Sequence, residues 1–146
     1  MGITSAICNS FKQEILEAEH NFTASTGNTF NLALYDSGAD LSKTTTAYTS
    51  SEEITNTSGS AYSAKGNALT SVTPVLDSDT AICDFDNTSW TSASFTARGC
   101  LIFNDSHSSD ASVCAIDFGG DKTVTSGTFT VEFPAAAAAT AIIQIA

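Results

Sequence analysis

Four aspartates that lie close together in the sequence have side chains that could do chemistry: Asp77, Asp79, Asp84 and Asp86. Carboxylate oxygens are hard ligands of the kind that Ca²⁺ prefers. Asp84 and Asp86 would share one face of a strand, and neither an EF-hand-like glycine nor a bidentate glutamate follows them. This spacing favours solvated acids on a sheet face over a specific calcium site, and bound calcium stays open as the alternative.

The two histidines, His20 and His107, have no cysteine or carboxylate at metal-ligand spacing, and the chain has no Cys-x-x-Cys pair. His107 lies in a loop rich in serine and aspartate, where Ser–His–Asp catalysis is nominally possible. No nucleophile elbow accompanies it, so a polar surface loop is the better interpretation. We expect no catalytic residue, no metal and no cofactor.

Two short motifs imitate enzyme signatures. The Asp117-Phe118-Gly119 sequence matches a kinase motif, but no glycine-rich loop or HRD segment accompanies it, so we expect a strand that ends in a turn at Gly119-Gly120. The Asp36-Ser37-Gly38-Ala39-Asp40 segment is similar to the signature of retroviral-type aspartic proteases, in which two such aspartates share a proton. Those enzymes need a second, glycine-containing apolar motif, which AIIQIA near the C-terminus does not supply. A turn after a strand is therefore favoured, and the protease stays a remote alternative.

The segment from Asp79 to Pro134 organises the chain, because apolar and polar residues alternate along most of it with a period of two. Turn-forming residues separate the alternating runs, and Pro134 ends the last one. The runs are Ala81–Phe85, Phe95–Phe103, Cys114–Phe118 and Phe129–Phe133. Short strands at regular intervals predict an antiparallel β-sandwich or barrel-like domain. Its expected core residues are Trp90, Phe95, Leu101, Phe118, Phe129 and Phe133.

Further strands are predicted on either side of this segment. Thr29–Tyr35 alternates clearly, Asn67–Leu76 contains Pro74 as the mark of an edge or a bulge, and the isoleucines at 142, 143 and 145 favour a final strand that pairs back into a sheet. One short N-terminal α-helix is predicted over about residues 10–22, where apolar residues and glutamates alternate at helical spacing. The whole chain, 1–146, is expected to be one domain.

A long polar segment covers about residues 36–66. We expect it to form an extended arm that contacts a partner. A structureless loop of that length is unusual in a compact domain, so we also expect short irregular strands near Tyr48 and over Glu52–Ile54. The candidate partner-contact residues in this arm and in the helix are Phe11, Ile15, Leu16, Tyr48, Ile54 and Tyr62. Ordinary core packing is the alternative for both regions.

The composition limits the range of partners. The net charge is −11, with only five basic residues. Nucleic acid is not expected as a partner, because so few cations cannot neutralise a run of phosphates, and anionic membrane surfaces are unfavourable for the same reason. The N-terminus does not match a secretory signal. We therefore expect the four cysteines, Cys8, Cys83, Cys100 and Cys114, to be reduced thiols packed as small hydrophobic side chains.

Nearly the whole chain resembles a family of small structural proteins encoded by tailed phages of aquatic bacteria, cyanophages among them. The most distinctive matching segments are WTSASFTARG, Trp90 to Gly99, and DFGGDK, Asp117 to Lys122. The resemblance implies a virion component without catalytic activity, and a capsid decoration (cement) protein in particular. Its implied location is the capsid surface, after assembly in the host cytoplasm.

The implied partners are the major capsid protein and further copies of this chain, as a dimer or a trimer. A tail, baseplate or fibre protein that contacts the host surface is the alternative within the virion. The number of copies in a purified particle separates these two alternatives, since a decoration protein is present in hundreds of copies.

Overall fold

The computed structural model describes residues 2–55 and 61–146 of the chain. In chain order its elements are β1 (Ala6–Ile7), α1 (Asn9–Leu16), β2 (Phe30–Tyr35), β3 (Asn67–Ala68), β4 (Ser71–Asp77), β5 (Thr80–Phe85), β6 (Thr88–Asn104), β7 (Ser112–Val131) and β8 (Ile143–Ile145). Two antiparallel sheets and one short helix confirm the predicted all-β, sandwich-like fold with a short N-terminal helix.

The larger sheet has five strands in the order β1-β7-β6-β2-β3, and the smaller has three in the order β4-β5-β8. The long strands β6 and β7 pair from Thr88↔Val131 to Phe103↔Ser112 and form a ribbon through the molecule. The ribbon extends beyond its neighbours, because β1 pairs with β7 only at Ala115 and Cys114.

Both faces of the five-stranded sheet are covered, which explains why every residue of β2 is buried. Because successive side chains of a strand point to opposite faces, Phe30, Leu32 and Leu34 all lie in the core on the side of the three-stranded sheet. The residues between them, such as Ala33 and Tyr35, belong to a second cluster on the opposite face. Two separate apolar clusters therefore hold the chain together.

Aromatic side chains dominate the main core. Phe22 and Phe30 stack with ring centroids 4.1 Å apart, and Phe85 packs against both rings. Trp90 is 2% exposed, as predicted. Leu101 is also buried, although it lies in the second cluster, and the predicted core residues Phe95, Phe118, Phe129 and Phe133 are only partly buried against the main core.

The predicted helix over 10–22 is too long. The helix ends at Leu16, and two residues later Ala18 has a left-handed φ of 62°. The backbone leaves the helix there and returns towards the sheet, so Phe22 reaches the core instead of continuing a helical face. Helical spacing persists in the sequence beyond Leu16, but tertiary packing overrides it.

The prediction of two separate strands over Cys114–Phe118 and Phe129–Phe133 is wrong, because β7 continues through Gly119-Gly120 and Ser126-Gly127. Register shifts in the ribbon, one of them between Ala97 and Gly99, absorb these irregular residues. Residues 118–121 have no partner in β6 and Gly119 has a left-handed φ of 77°, so the local turn chemistry produces a bulge within β7 and does not end the strand.

The segment at 36–66 is not an extended arm over the residues described. Ala39 and Leu41 are buried in the second cluster, and Tyr48 packs against it. The expected irregular pairing is present as isolated bridges, Ala47↔Ala111 and Tyr35↔Glu53. The apolar second face of the sheet needs a cover, and this loop supplies it. Residues 56–60 of the predicted arm lie outside the described residues.

The predicted single strand over Asn67–Leu76 is divided in the structure, since β3 belongs to the five-stranded sheet and β4 to the three-stranded sheet. β4 is an edge strand with a register shift between Val72 and Val75, around Pro74. The isoleucine-rich C-terminal segment forms β8, which pairs with β5 at Cys83↔Ile143. The alanine run before it makes turns near Thr140, where the hydroxyl donates to the carbonyl of Ala135.

Candidate functional site

An apolar groove of about 390 Å³ lies between α1 and the outer end of the three-stranded sheet. Phe11 and Ile15 line its helix wall, because residues four apart share one face of a helix. Ile143 and Ile145 line the opposite wall, since residues two apart share one face of a strand. We call this the helix groove, and its lining is almost entirely apolar.

A second groove, of about 540 Å³, lies between β7 and the segment that follows it. Ile116, Phe118 and Phe129 project from β7, while Phe133 comes from the following segment. We call this the ribbon groove. Ile142 lines both grooves, so they are neighbours on one side of the molecule.

The large hydrophobic side chains with the greatest exposure belong to α1, β4 and β8, which all contribute residues to the helix groove, and Ile145 lines the groove itself. Leu16 is 88% exposed, Leu76 74% and Ile145 59%. Leu76 and Ile145 both pair with Ala81 from opposite sides, so they share one face of the small sheet. Val75, at 54%, is on the other face. Clustered apolar exposure of this kind marks a surface that binds another molecule.

Two of the five basic residues are held by aspartates. Lys65 Nζ lies 2.9 Å from both Asp105 and Asp110, and these hydrogen bonds raise the pKa of the lysine. Arg98 binds Asp117, and the pKa of Asp117 is lowered by its hydrogen bond from the Gly119 N–H and by Arg98. Both clusters lie within the acidic surface of the chain and tie its segments together.

Lys12 and Lys122 differ from these paired cations. Lys12 lines the helix groove and donates to the side chain of Asn9 at 3.3 Å. Lys122 lines the ribbon groove, where Glu132 contributes an acid. Neither lysine forms an ion pair with any residue in the described ranges. Each groove thus carries one lysine without an ion pair to the described residues, and the ribbon groove also carries Glu132.

A buried carboxylate, Glu53, organises the loop at 36–66. Its oxygens accept hydrogen bonds from the hydroxyls of Tyr48 at 2.5 Å and Tyr62 at 2.6 Å, and from the Lys65 N–H at 2.7 Å. Burial, together with the bond to Glu53, raises the pKa of Tyr48 to about 12 and that of Tyr62 further. Three donors satisfy the carboxylate, so this network is a structural clamp.

His20 is buried in a second polar network. Its Nε2 lies 2.7 Å from Glu14, and its Nδ1 lies 3.1 Å from the amide nitrogen of Asn104. The same amide lies 3.4 Å from the Glu19 carbonyl, while its oxygen accepts from the Ser106 N–H. These contacts orient the amide so that it donates to His20, and the network joins the end of α1 to β6.

His107 has a serine and a glutamate beside it, as a triad would. Ser109 Oγ lies 3.0 Å from Nδ1, and Glu19 lies 3.4 Å from Nε2. The backbone N–H of Ser109 also donates to the same Nδ1 at 3.2 Å. A ring nitrogen that already accepts from its own turn is poorly placed as the base for that serine, so these contacts shape the loop.

The other residues considered for chemistry have structural surroundings. Asp36 accepts the Gly38 N–H at 2.8 Å, which forms the expected turn after β2. Within residues 2–55 and 61–146, no three His, Cys, Asp or Glu side chains are arranged to hold a metal ion.

Asp84 is not the predicted solvated acid: it is 1% exposed, because the chain after β7 passes over it near Pro134.

Burial and desolvation raise the pKa of Asp84, while the backbone N–H groups of Phe85 and Ile142 oppose that rise. All four cysteines are buried free thiols, as predicted. Burial raises the pKa of the thiols, to about 12 for Cys83 and Cys114. A thiol that is both buried and protonated is a poor nucleophile.

The predicted partner-contact residues differ in how deeply the structure buries them. Phe11, Ile54 and Tyr62 are buried in the main core, although Phe11 also lines the helix groove. Tyr48 is half-buried against Phe103. Ile15 lines the helix groove and Leu16 is highly exposed, so only the end of α1 remains a candidate surface.

Sequence reasoning missed the apolar surface formed by β4 and β8, including Leu76 and Ile145. The hydrophobic residues at 142, 143 and 145 indicated a strand. Their exposure could not be predicted, because it depends on how far β8 projects beyond the core. It also missed Glu53 and Asn104 as buried polar residues. The two glutamates before Ile54, Glu52 and Glu53, were the only available hint.

Comparisons with protein-family models, with curated proteins and with solved structures give no match for this chain. In the part of the chain that the structure describes, no helix is long and apolar enough to cross a membrane.

Proposed function

We propose that this chain is a structural protein of a tailed-phage virion, and specifically a decoration protein that binds the major capsid protein and stabilises the head. The resemblance of the Trp90–Gly99 and Asp117–Lys122 segments to phage structural proteins motivates the biological setting. The physical support is a docking surface on an all-β scaffold.

The observation that carries the proposal is the concentration of apolar surface around the helix groove. Ile145 lines the groove and is more than half exposed, and so are Leu16, which follows the lining residue Ile15, and Leu76, which pairs with the lining residue Ala81. Side chains of this size lose unfavourable contact with water when another surface covers them. The remaining surface is acidic, which keeps a protein soluble before it docks.

The scaffold suits a role in which the protein resists mechanical strain. Long β6 and β7 strands span the molecule, and the Glu53 clamp fastens the covering loop to the sheet through Tyr48 and Tyr62. A stiff module that bridges capsid subunits adds buried contact to the shell, and the shell then withstands more internal pressure.

The test is to titrate the purified protein against expanded, empty capsids of the phage that encodes it. We expect saturable binding and a higher temperature of capsid rupture. Ile145→Asp and Leu16→Asp each place a charge on the docking surface and should weaken binding. Ala64→Asp is the matched control, because Ala64 is exposed and lines neither groove.

Absence of binding to capsids, or binding without a gain in rupture temperature, would contradict the decoration role. Quantifying the chain in purified virions tests its location. Hundreds of copies per particle agree with a decoration protein, whereas a few dozen or fewer would move the proposal to the tail or baseplate.

A further inference from the structure

The edge of β8 that faces away from β5 carries no partner strand among the described residues. The small sheet has the order β4-β5-β8, so β8 is one of its two edges. Over Ile143–Ile145 the chain contains neither proline nor a charged side chain. An unprotected edge offers unpaired N–H and C=O groups to another strand.

The opposite edge of the same sheet is protected by two standard devices. β4 contains Pro74, which has no N–H to donate, and its register shifts between Val72 and Val75. A proline and a bulge both prevent a further strand from pairing. The contrast singles out β8 as the edge that is open to strand addition.

The surroundings of the β8 edge suit an extended chain with alternating side chains. The helix groove runs beside Ile143 and Ile145, and the ribbon groove continues past the shared residue Ile142 towards Phe118. A strand added at this edge would direct every second side chain towards these apolar linings. Its backbone would satisfy the open groups of β8.

The charges near the edge define the partner further. Lys12 and Lys122 line the two grooves without an ion pair to any described residue, although the chain as a whole carries a net charge of −11. A segment with carboxylates near its ends would pair with them. Repulsion between two copies of such an acidic chain disfavours self-association at this edge.

We propose that the β8 edge binds an extended segment of a different protein, with alternating apolar residues and flanking carboxylates, by strand addition. This inference names the recognition mode of the docking surface and rests on the proposed function. The partner strand would lie along Ile143–Ile145, between the helix groove and the ribbon groove.

The test uses the full chain, labelled with ¹⁵N, and three seven-residue peptides whose N- and C-termini are capped and uncharged. The first alternates valine and threonine and has glutamate at both ends. The second is the same peptide with alternate backbone nitrogens methylated, and the third has lysine in place of both glutamates. We expect the first peptide to shift the amide signals of β8 and slow their hydrogen exchange, while the methylated peptide has no effect.

Substitutions distinguish strand pairing at the β8 edge from nonspecific hydrophobic binding. Lys12→Glu combined with Lys122→Glu should weaken binding of the glutamate peptide roughly fivefold or more, and should favour the lysine peptide. Ile145→Ser removes an apolar contact without adding a charge and should weaken binding of the glutamate peptide. Val75→Ser is its matched control, because Val75 is similarly exposed but lies on the other face of the small sheet.

Equal binding of the methylated peptide would overturn strand addition, and so would perturbations away from β8 or no binding at all. Dimers of the free chain that protect the β8 amides would also overturn it, since a second copy would then occupy the edge. Capsid binding without peptide binding refutes only this inference. Peptide binding without capsid binding refutes only the decoration role.

Discussion

The hydroxyl of Tyr62 donates a hydrogen bond to Glu53 across 2.6 Å, and both side chains are buried. The same hydroxyl accepts the backbone N–H of Leu34 at 3.0 Å, within the central sheet. One phenol oxygen thus links the covering loop, a buried carboxylate and strand β2. This contact binds the described residues around Glu53 and Tyr62 to the sheet, so they do not project as an arm.

Tyr62→Phe removes that link and leaves both Glu53 and the Leu34 N–H with one partner fewer. We expect the free energy of unfolding to fall by about 1–3 kcal/mol, because buried groups that lose a partner keep their desolvation cost. Urea denaturation followed by Trp90 fluorescence measures the change.

Tyr48→Phe is the comparison for Tyr62→Phe, since it removes the other hydroxyl that binds Glu53. Tyr48 is only half-buried, so water can replace its hydrogen bond and the loss should stay below about 1 kcal/mol. A larger loss for Tyr48→Phe than for Tyr62→Phe would contradict the assignment of Tyr62 as the main link.

The three tyrosines of the chain predict an unusual alkaline titration. Burial raises the pKa of Tyr35, Tyr48 and Tyr62 above 10.0, and that of Tyr48 to about 12. Folding therefore favours the protonated phenols. Their contribution to stability is complete below about pH 10 and is lost as the pH rises from there through the folded values.

Absorbance at 295 nm checks this titration. The native protein should form little tyrosinate at pH 10–11, whereas the chain unfolded in guanidinium should titrate near pH 10. A native midpoint near 10 for any one tyrosine would contradict the burial of that side chain.

Gly66→Ala should destabilise the fold strongly. Gly66 has φ +65°, and an added Cβ would lie 1.8 Å from the carbonyl oxygen of Leu32. Backbone strain and this clash together should cost on the order of 3 kcal/mol in the free energy of unfolding. Thermal and urea denaturation both measure it.

Gly120→Ala is the matched control for Gly66→Ala. No atom lies within 4 Å of the Cβ that this substitution would add, and Gly120 is not in the left-handed region. Its effect should stay within about 1 kcal/mol in either direction. Similar losses for both variants would show that β2 and the Gly66 turn are not packed as described.

Asp84→Asn should stabilise the protein at pH 7. Burial raises the pKa of Asp84, so the charged form opposes folding once the pH rises through the folded value. Asparagine stays neutral and keeps an oxygen for the Phe85 N–H, which now binds Asp84 at 2.8 Å. The urea midpoint of the variant should exceed that of the parent at pH 7, with a smaller difference at pH 3.5.

Asp86→Asn is the control for Asp84→Asn, because Asp86 is exposed two residues further along the chain. It should shift the midpoint little at either pH. A variant at Asp84 that destabilises the protein more at pH 7 than at pH 3.5 would reverse the expected sign and contradict the raised pKa.

Much of the strand content could be predicted from alternation, as Thr29–Tyr35 and Ala81–Phe85 illustrate. The prediction failed where local and long-range signals disagreed. Gly119-Gly120 is a turn by local chemistry, yet it forms an irregular stretch inside β7, which pairs with β6 on either side of it at Asp117 and Lys122. The period-two pattern also predicted an exposed Asp84, because alternation cannot indicate whether a later segment covers the outer face of a sheet.

The sequence by itself determined the fold class, the strand-forming segments and the buried state of the thiols, since these depend on local periodicity and residue type. Only the tertiary structure decided that Ala39 and Leu41 cover a second sheet face and that Glu53 binds the hydroxyls of Tyr48 and Tyr62. It also decided that β8 remains an open edge beside two apolar grooves. Burial and edge exposure depend on which segments meet across long sequence separations, and periodicity within one segment cannot specify that.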